Sequence, residues 1–203
     1  MTPVEFTALL ALSTATSFSP GPNTTLSTAL AANLGFSRSL RFIVAVPVGW
    51  GLLFSICAGG VGALVVALPP LRIAIQALGV AYMLWLSRKI WRSSTLTQAN
   101  AAQINITFWQ GVMMQFLNIK AWMLALAVVA GWVAGQTDAW ARFAIILPVM
   151  LAFGFFSNLS YALIGSLLRS WLEDPEHGGR RLRWFNRIMA TVLVVTAAWM
   201  ATF

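Results

Sequence analysis

From Phe6 to Leu34 the chain runs without one charged side chain, and further apolar runs follow it to the C-terminus. A stretch of that length has no place on a water-facing surface, because a soluble helix keeps a polar face. A bilayer accepts it: about 20 apolar residues rising 1.5 Å each cross roughly 30 Å of hydrocarbon. Composition agrees. Of 203 residues 59% are hydrophobic and 9% charged, where a soluble domain carries about 25% charged residues.

Six apolar segments can be read. The first, about residues 6 to 34, is interrupted at Ser19-Pro20-Gly21-Pro22-Asn23. The second, about residues 42 to 68, ends at Pro69-Pro70, which forces a tight connection because proline lacks a donor and restricts its predecessor. The third covers about residues 71 to 91, and a Ser, Thr, Gln and Asn-rich stretch follows to about residue 105. The fourth spans about residues 108 to 135, the fifth 141 to 168 and the sixth 184 to the C-terminus, with a charged loop at 169–183 before the last. Strand alternation is absent, and the runs exceed the roughly 10-residue strands of membrane barrels. The expected fold is therefore all-α: a polytopic membrane protein with six transmembrane helices in a single membrane domain, 1–203.

The net charge of +8 resembles a nucleic-acid signal, but its distribution argues for topology instead. Arg38, Arg41, Arg88, Lys89, Arg92, Arg169, Arg180, Arg181, Arg183 and Arg187 cluster in the connections after segments one, three and five. The other connections hold Arg72 and Arg142. Basic residues stay on the cytoplasmic side, near anionic lipid. That places both termini outside, across a bacterial inner membrane, and leaves no role for nucleic acid. No Lys or Arg precedes the first apolar stretch, so it is expected to remain as the first helix rather than act as a cleaved signal.

An odd number of spans per half makes the second half enter from the opposite side. Residues 1–91 form a first three-helix repeat, 92–107 a cytoplasmic linker and 108–203 a second repeat. Each half opens on a segment with a polar break, Ser19 to Asn23 in the first and Gln115 to Lys120 in the second. Breaks at matching places in a 3+3 inverted repeat point to a binding site near the midplane.

Both breaks carry chemistry. Two prolines around Gly21 cannot continue a regular helix. The carbonyls they free must be buried in protein or face a wet cavity. Pro22 suits the first turn of the resumed helix, whose N-terminal amides attract an anion such as a carboxylate. Ser19 and Asn23 add hydrogen-bonding groups; the plain alternative is a packing kink. Lys120 lies roughly 18 Å along its segment, too deep to reach water easily, and a charge there must be paired or solvated. It either meets a substrate carboxylate or exchanges a proton; the alternative is a lysine bonded to helix-end carbonyls. Gln115 and Asn118 are expected beside it. Asn158, near Ser157, Ser160 and Tyr161, is a further candidate that bonds either substrate or a neighbouring helix.

Other features read as structural. Gly49, Gly51, Gly59, Gly60 and Gly62 suit close helix packing, and Trp85, Trp91, Trp140 and Trp184 suit interfacial belts. His177 reads as a solvated loop residue. Neither a nucleotide loop nor a Cys/His metal pattern is present. No cofactor or metal is expected, and transport must draw on an ion gradient or run downhill.

Three stretches together carry a family resemblance: Ser19 to Asn23, Leu78 to Leu86 with its Gly-x-x-Tyr-x-Leu spacing, and Gly111 to Ala121. Over nearly its whole length the chain resembles the lysine exporter (LysE/RhtB-type) superfamily of amino-acid efflux proteins. The second-half motif of that family usually reads Gly-x-x-x-Asn-x-x-Asn-Pro-Lys-Ala. Gln115 stands here for the first Asn and Ile119 for Pro, so a milder break is expected in helix four. Gln-Phe-x-Asn-x-Lys after Phe108-Trp109 is most similar to the cysteine/O-acetylserine exporter branch. The resemblance implies a secondary transporter, not an enzyme. It would export neutral amino acids or derivatives, cysteine or O-acetylserine among them, with protons as the candidate coupling ion. A homo-oligomer is compatible with the sequence. The rival readings are a channel or scaffold without gradient-coupled flux, and a membrane enzyme, for which no nucleophile–base pair is visible in the spans.

Overall fold

The structure is a computed structural model that describes residues 1–93, 106–173 and 179–202. His177 and most of the polar linker lie outside the described residues. Those described are helical, with no strand among them.

The first apolar run forms two helices, α1 (Pro3–Phe18) and α2 (Pro22–Leu34). A capping box starts α1: Glu5 N donates to Thr2 Oγ1 at 3.2 Å and Thr2 N to the Glu5 carboxylate at 2.6 Å. Pro22 occupies the first turn of α2, where its missing N–H costs nothing. Gly35, at φ 85°, turns the chain straight from α2 into α3 (Phe36–Ala58).

The second run is not continuous. It stops at Ala58, and Gly60, at φ 99°, makes the turn into the short α4 (Val61–Ala67). Gly60 therefore supplies a turn and not helix packing: nothing lies within contact of the place its Cβ would occupy. Gly49, by contrast, sits against the backbone of the fourth segment, where an added Cβ would lie 2.6 Å from the Val112 carbonyl oxygen. The connection at Pro69-Pro70 is tight, as expected, but the two prolines belong to the first turn of α5 (Pro69–Arg92) and not to the connection before it.

The second half begins with α6 (Phe108–Leu117), again behind a capping box, Thr107 with Gln110. After Asn118 the chain resumes as α7 (Ile119–Val128) and ends in a π-helical turn, Val129–Val133. Then come α8 (Ala139–Leu172) and α9 (Arg180–Met200). Both outlast their apolar runs, so the 169–183 loop is shorter than composition suggests. Charged residues end the lipid-compatible stretch, but backbone hydrogen bonding continues through them.

By length and composition, three described helices can each cross a membrane: α3, α5 and α8. A fourth candidate is α6 with α7 and its π-turn, two pieces bent by 69°, which make a broken span or a re-entrant loop. The helices pack with α2 in the centre, against α3, α8 and α9, while α5 pairs with α9 and α3 crosses α6. At Gly165 of α8 the α2 backbone comes so close that an added Cβ would strike the Thr28 carbonyl. Many large apolar side chains face outward, and Lys89 lies 3.9 Å over the ring of exposed Trp85. That outer surface is suited to acyl chains rather than water.

Candidate functional site

At the first break the chain leaves helical geometry at Ser19 and re-enters it at Pro22. The last carbonyls of α1 would be orphans at this depth. Three side chains take them: Ser19 Oγ donates to Thr16 O at 2.9 Å, Ser157 Oγ to Ser17 O at 2.6 Å, and Tyr161 Oη to Phe18 O at 2.9 Å. Two of these donors belong to α8, so the break is held open by a helix far away in sequence. At the start of α2, Gly21 N donates to Thr24 Oγ1 at 3.0 Å.

The second break needs no proline. Asn118 is extended, at φ −97° and ψ 100°, and its side-chain oxygen accepts from Lys120 N at 3.2 Å, starting α7 afresh. Trp122 Nε1 covers the freed Phe116 carbonyl at 2.9 Å. With Ile119 where the resemblance leads one to expect proline, the pieces still meet at 69°. The cap, rather than a missing donor, makes the turn.

The two breaks face each other. Lys120 Nζ donates to Ser19 Oγ at 2.7 Å, and Nζ lies 3.4 Å from the position a Cβ on Gly21 would take. An alanine Cβ at 21 would just touch the ammonium. Beside them Asn23 and Gln115 exchange two hydrogen bonds, at 2.9 and 3.1 Å, joining α2 to α6.

A cavity of about 80 Å³ opens at this junction. One water needs roughly 10–15 Å³ by such a measure, so the space suits a small molecule. Ser19, Gly21, Pro22, Asn23, Gln115, Asn118, Lys120 and Asn158 all line it. Pro20 does not; it is exposed. Asn158 lines the cavity, but its oxygen accepts from Ser27 at 2.8 Å and its amide donates to Gly154 O, so it also ties α2 to α8. Sequence reasoning missed, among other lining residues, Pro47 and Trp50 of α3 and Met150 of α8. Pro47, a proline inside an apolar run, was a signal for the first; Trp50 and Met150 look like ordinary core residues. Lys120 is the only charged side chain in the lining.

The family described as LysE type translocator matches residues 14–202. The cysteine/O-acetylserine efflux protein of Salmonella typhimurium (strain LT2) is 32% identical over 198 residues, covering 97% of each chain. The protein of the same name from Escherichia coli (strain K12) is 29% identical over 197 residues, with the same coverage.

The chain belongs to the LysE type translocator family.

No solved structure matches it. Its relatives are named as efflux proteins, not enzymes, and its outward-facing apolar helices are those of a multi-pass membrane transporter. Among the described residues, no group of His, Cys, Asp or Glu is arranged to hold a metal ion.

On either side of the cavity the translocator is tied by a different kind of polar cluster. Near the α1 N-terminus, Arg142 of α8 donates to Asp138 at 2.6 Å and to Glu5 at 3.1 Å, while the Met1 amine lies 3.4 Å from Asp138. The Arg142 guanidinium holds the Asp138 carboxyl below the usual carboxylate range. At the far end of α2 the cluster is made mostly of neutral groups. Asn33 and Asn186 exchange hydrogen bonds at 2.7 and 3.0 Å, Asn186 donates to Ser93 O at 3.0 Å, and Arg169 donates to Asn33 O at 2.7 Å. These residues join α2, α5, α8 and α9 at one point.

Proposed function

We infer that this translocator is a secondary exporter that moves small neutral amino acids or their derivatives out of the cytoplasm, coupled to the proton gradient. The observation that carries the reading is the Lys120–Ser19 hydrogen bond at 2.7 Å, a charged group bridging two helix breaks inside a cavity of amino-acid size. An ammonium on one side and the N-terminus of α2 on the other favour a carboxylate between them. Asn23, Gln115 and Asn118 offer hydrogen bonds around it. The names of its relatives make cysteine and O-acetylserine the first compounds to try.

The proposed architecture counts α1 with α2 as one interrupted span and α9 as the last, giving six spans in a 3+3 inverted repeat. Three features support it. Both halves open with a capping box, Thr2/Glu5 and Thr107/Gln110. Each half has a broken first segment. Each following long helix carries an internal proline, Pro47 in α3 and Pro148 in α8. The basic residues of the connections favour an arrangement with both termini on the outer face of the inner membrane. The contact between the Met1 amine and Asp138, in the connection before α8, fits that arrangement.

Lys120 both receives the carboxylate and exchanges the coupling proton. Pro20, Gly21 and Pro22 form the hinge about which α1 swings. The test is efflux from vesicles loaded with a panel of amino acids, with and without an uncoupler. Wild type should show saturable, uncoupler-sensitive efflux. Lys120→Met should reduce it about 10- to 100-fold, the loss expected when a buried hydrogen bond to a charged group is removed. Unsaturable flux that ignores the gradient would instead make the protein a channel, and no flux of any amino acid would discard the exporter reading.

A further inference from the structure

The outward-facing surface is not uniformly apolar. Where the last turns of α5 run beside α9, a groove of about 390 Å³ opens between the two helices. Ser87, Arg88 and Trp91 line it from α5, and Ala190, Thr191 and Val194 from α9. The helices run antiparallel: Gln76 Nε2 donates to Met200 O at 2.7 Å, and Asn186 Nδ2 to Ser93 O at 3.0 Å. That register sets Trp91 level with Arg187 and carries Val194 away from them, toward the middle of the helices. The groove is therefore basic and aromatic at one end and apolar further in, where Leu84, Val194 and Val195 are all exposed.

Both hydroxyls in the groove donate within their own helices, Ser87 Oγ to Leu84 O at 2.8 Å and Thr191 Oγ1 to Arg187 O at 2.9 Å. What remains to meet a ligand is positive charge. Arg88 is exposed and has no hydrogen-bond or ion-pair partner among the described residues. Arg187, also exposed, stands with its guanidinium carbon 5.4 Å from the centre of the Trp91 ring. That contact occupies the face of the guanidinium and leaves its N–H edge for an anion. Lys89 is turned to Trp85 instead, outside the groove. No described carboxylate balances the two arginines: Glu5 and Asp138 pair with Arg142, and Glu173 with Arg169.

We propose that the α5–α9 groove binds one anionic phospholipid, with Arg88 and Arg187 on its phosphate and an acyl chain against Trp91, Ala190 and Val194. Basic pockets between membrane helices take anionic headgroups, and the guanidinium fork matches a phosphate better than an ammonium does. A zwitterionic headgroup adds an ammonium, which would meet two like charges here and no carboxylate. The bound lipid bridges α5 to α9 beside Ser93 and Asn186, and so stabilises the point where four helices meet.

The full-length protein in mixed micelles tests this through its melting temperature as phosphatidylglycerol or phosphatidylcholine is titrated in. Phosphatidylglycerol should raise the melting temperature saturably, and phosphatidylcholine should not. Arg88→Gln should raise the half-saturating phosphatidylglycerol about fivefold, and Arg88→Gln with Arg187→Gln about 30-fold, at the worth of each basic residue near a headgroup. Arg72→Gln, at the opposite end of α5, should leave the response unchanged. A response that survives in the double variant belongs to diffuse attraction by the other basic residues and overturns the proposal. Equal stabilisation of the wild type by phosphatidylcholine overturns it too, as does equal stabilisation by inorganic phosphate, the mark of a free-anion site.

Discussion

The two halves of the interrupted first segment are built of similar apolar sequence and held in opposite ways. In α2 every residue from Pro22 to Asn33 except Asn23 is buried, and its backbone lies against α8 at Gly165. In α1 only Leu9 and Ser13 are buried. The α2 end is locked by buried amides that Arg169 joins, and the α1 end by ion pairs whose carboxylates are part-exposed. Buried, satisfied amide networks are strong and specific; rim ion pairs contribute little and weaken with salt. A transporter that admits substrate from one side and releases it to the other needs one element that moves against another that does not. In this conformation α2 is the deeply buried element and α1 the more exposed one, joined at the Ser19–Gly21 break.

The harshest way to break that contrast is Gly165→Val. The Thr28 backbone cannot move aside as a side chain would, so α2 would be pushed off α8. Overpacking of this kind costs about 1–3 kcal/mol or more. Folded yield and melting temperature in detergent should both fall sharply, and an unchanged melting curve would refute the close crossing. Asn186→Ala should come next, leaving Asn33 and the Ser93 carbonyl short of a partner at a cost of about 1–3 kcal/mol. Its destabilisation should be insensitive to salt.

Asp138→Asn should have the smallest effect, because it loosens only the α1 rim. Its loss of melting temperature should be below that of Asn186→Ala and should vanish in high salt. Acid should mimic it. Because the folded Asp138 carboxyl titrates below its unfolded value, its contribution is complete above about pH 3.9 and is lost as pH falls through the lower folded value. Arg142 first, and the Met1 amine after it, lower the carboxyl and set that window; Glu5 shares the same guanidinium. Rim and core variants with the same salt response would erase the distinction between the two ends.

Much of this was legible without coordinates. The apolar runs, the prolines at 20, 22, 69 and 70, and the depth of Lys120 declared helices, a break and a buried charge, because each depends on residues adjacent in the chain. Helix ends were less legible: α8 runs on to Leu172 and α9 starts at Arg180, since hydropathy reports where lipid stops and not where hydrogen bonding does. The second break was readable at Asn118 only as a polar patch, and the side-chain cap that starts α7 afresh was not readable at all. Gly60 looked like one more packing glycine because its positive φ is a property of the turn, not of the letter.

The sequence by itself determined that this chain is helical, lives in a membrane and interrupts its first segment, since lipid leaves backbone polar groups few ways to be satisfied. Tertiary structure alone decided what fills each interruption: Ser157 and Tyr161 on the α1 carbonyls, and Lys120 on Ser19. Those pairings join residues up to 143 positions apart, and the packing of helices, which no local pattern encodes, is what brings them within reach.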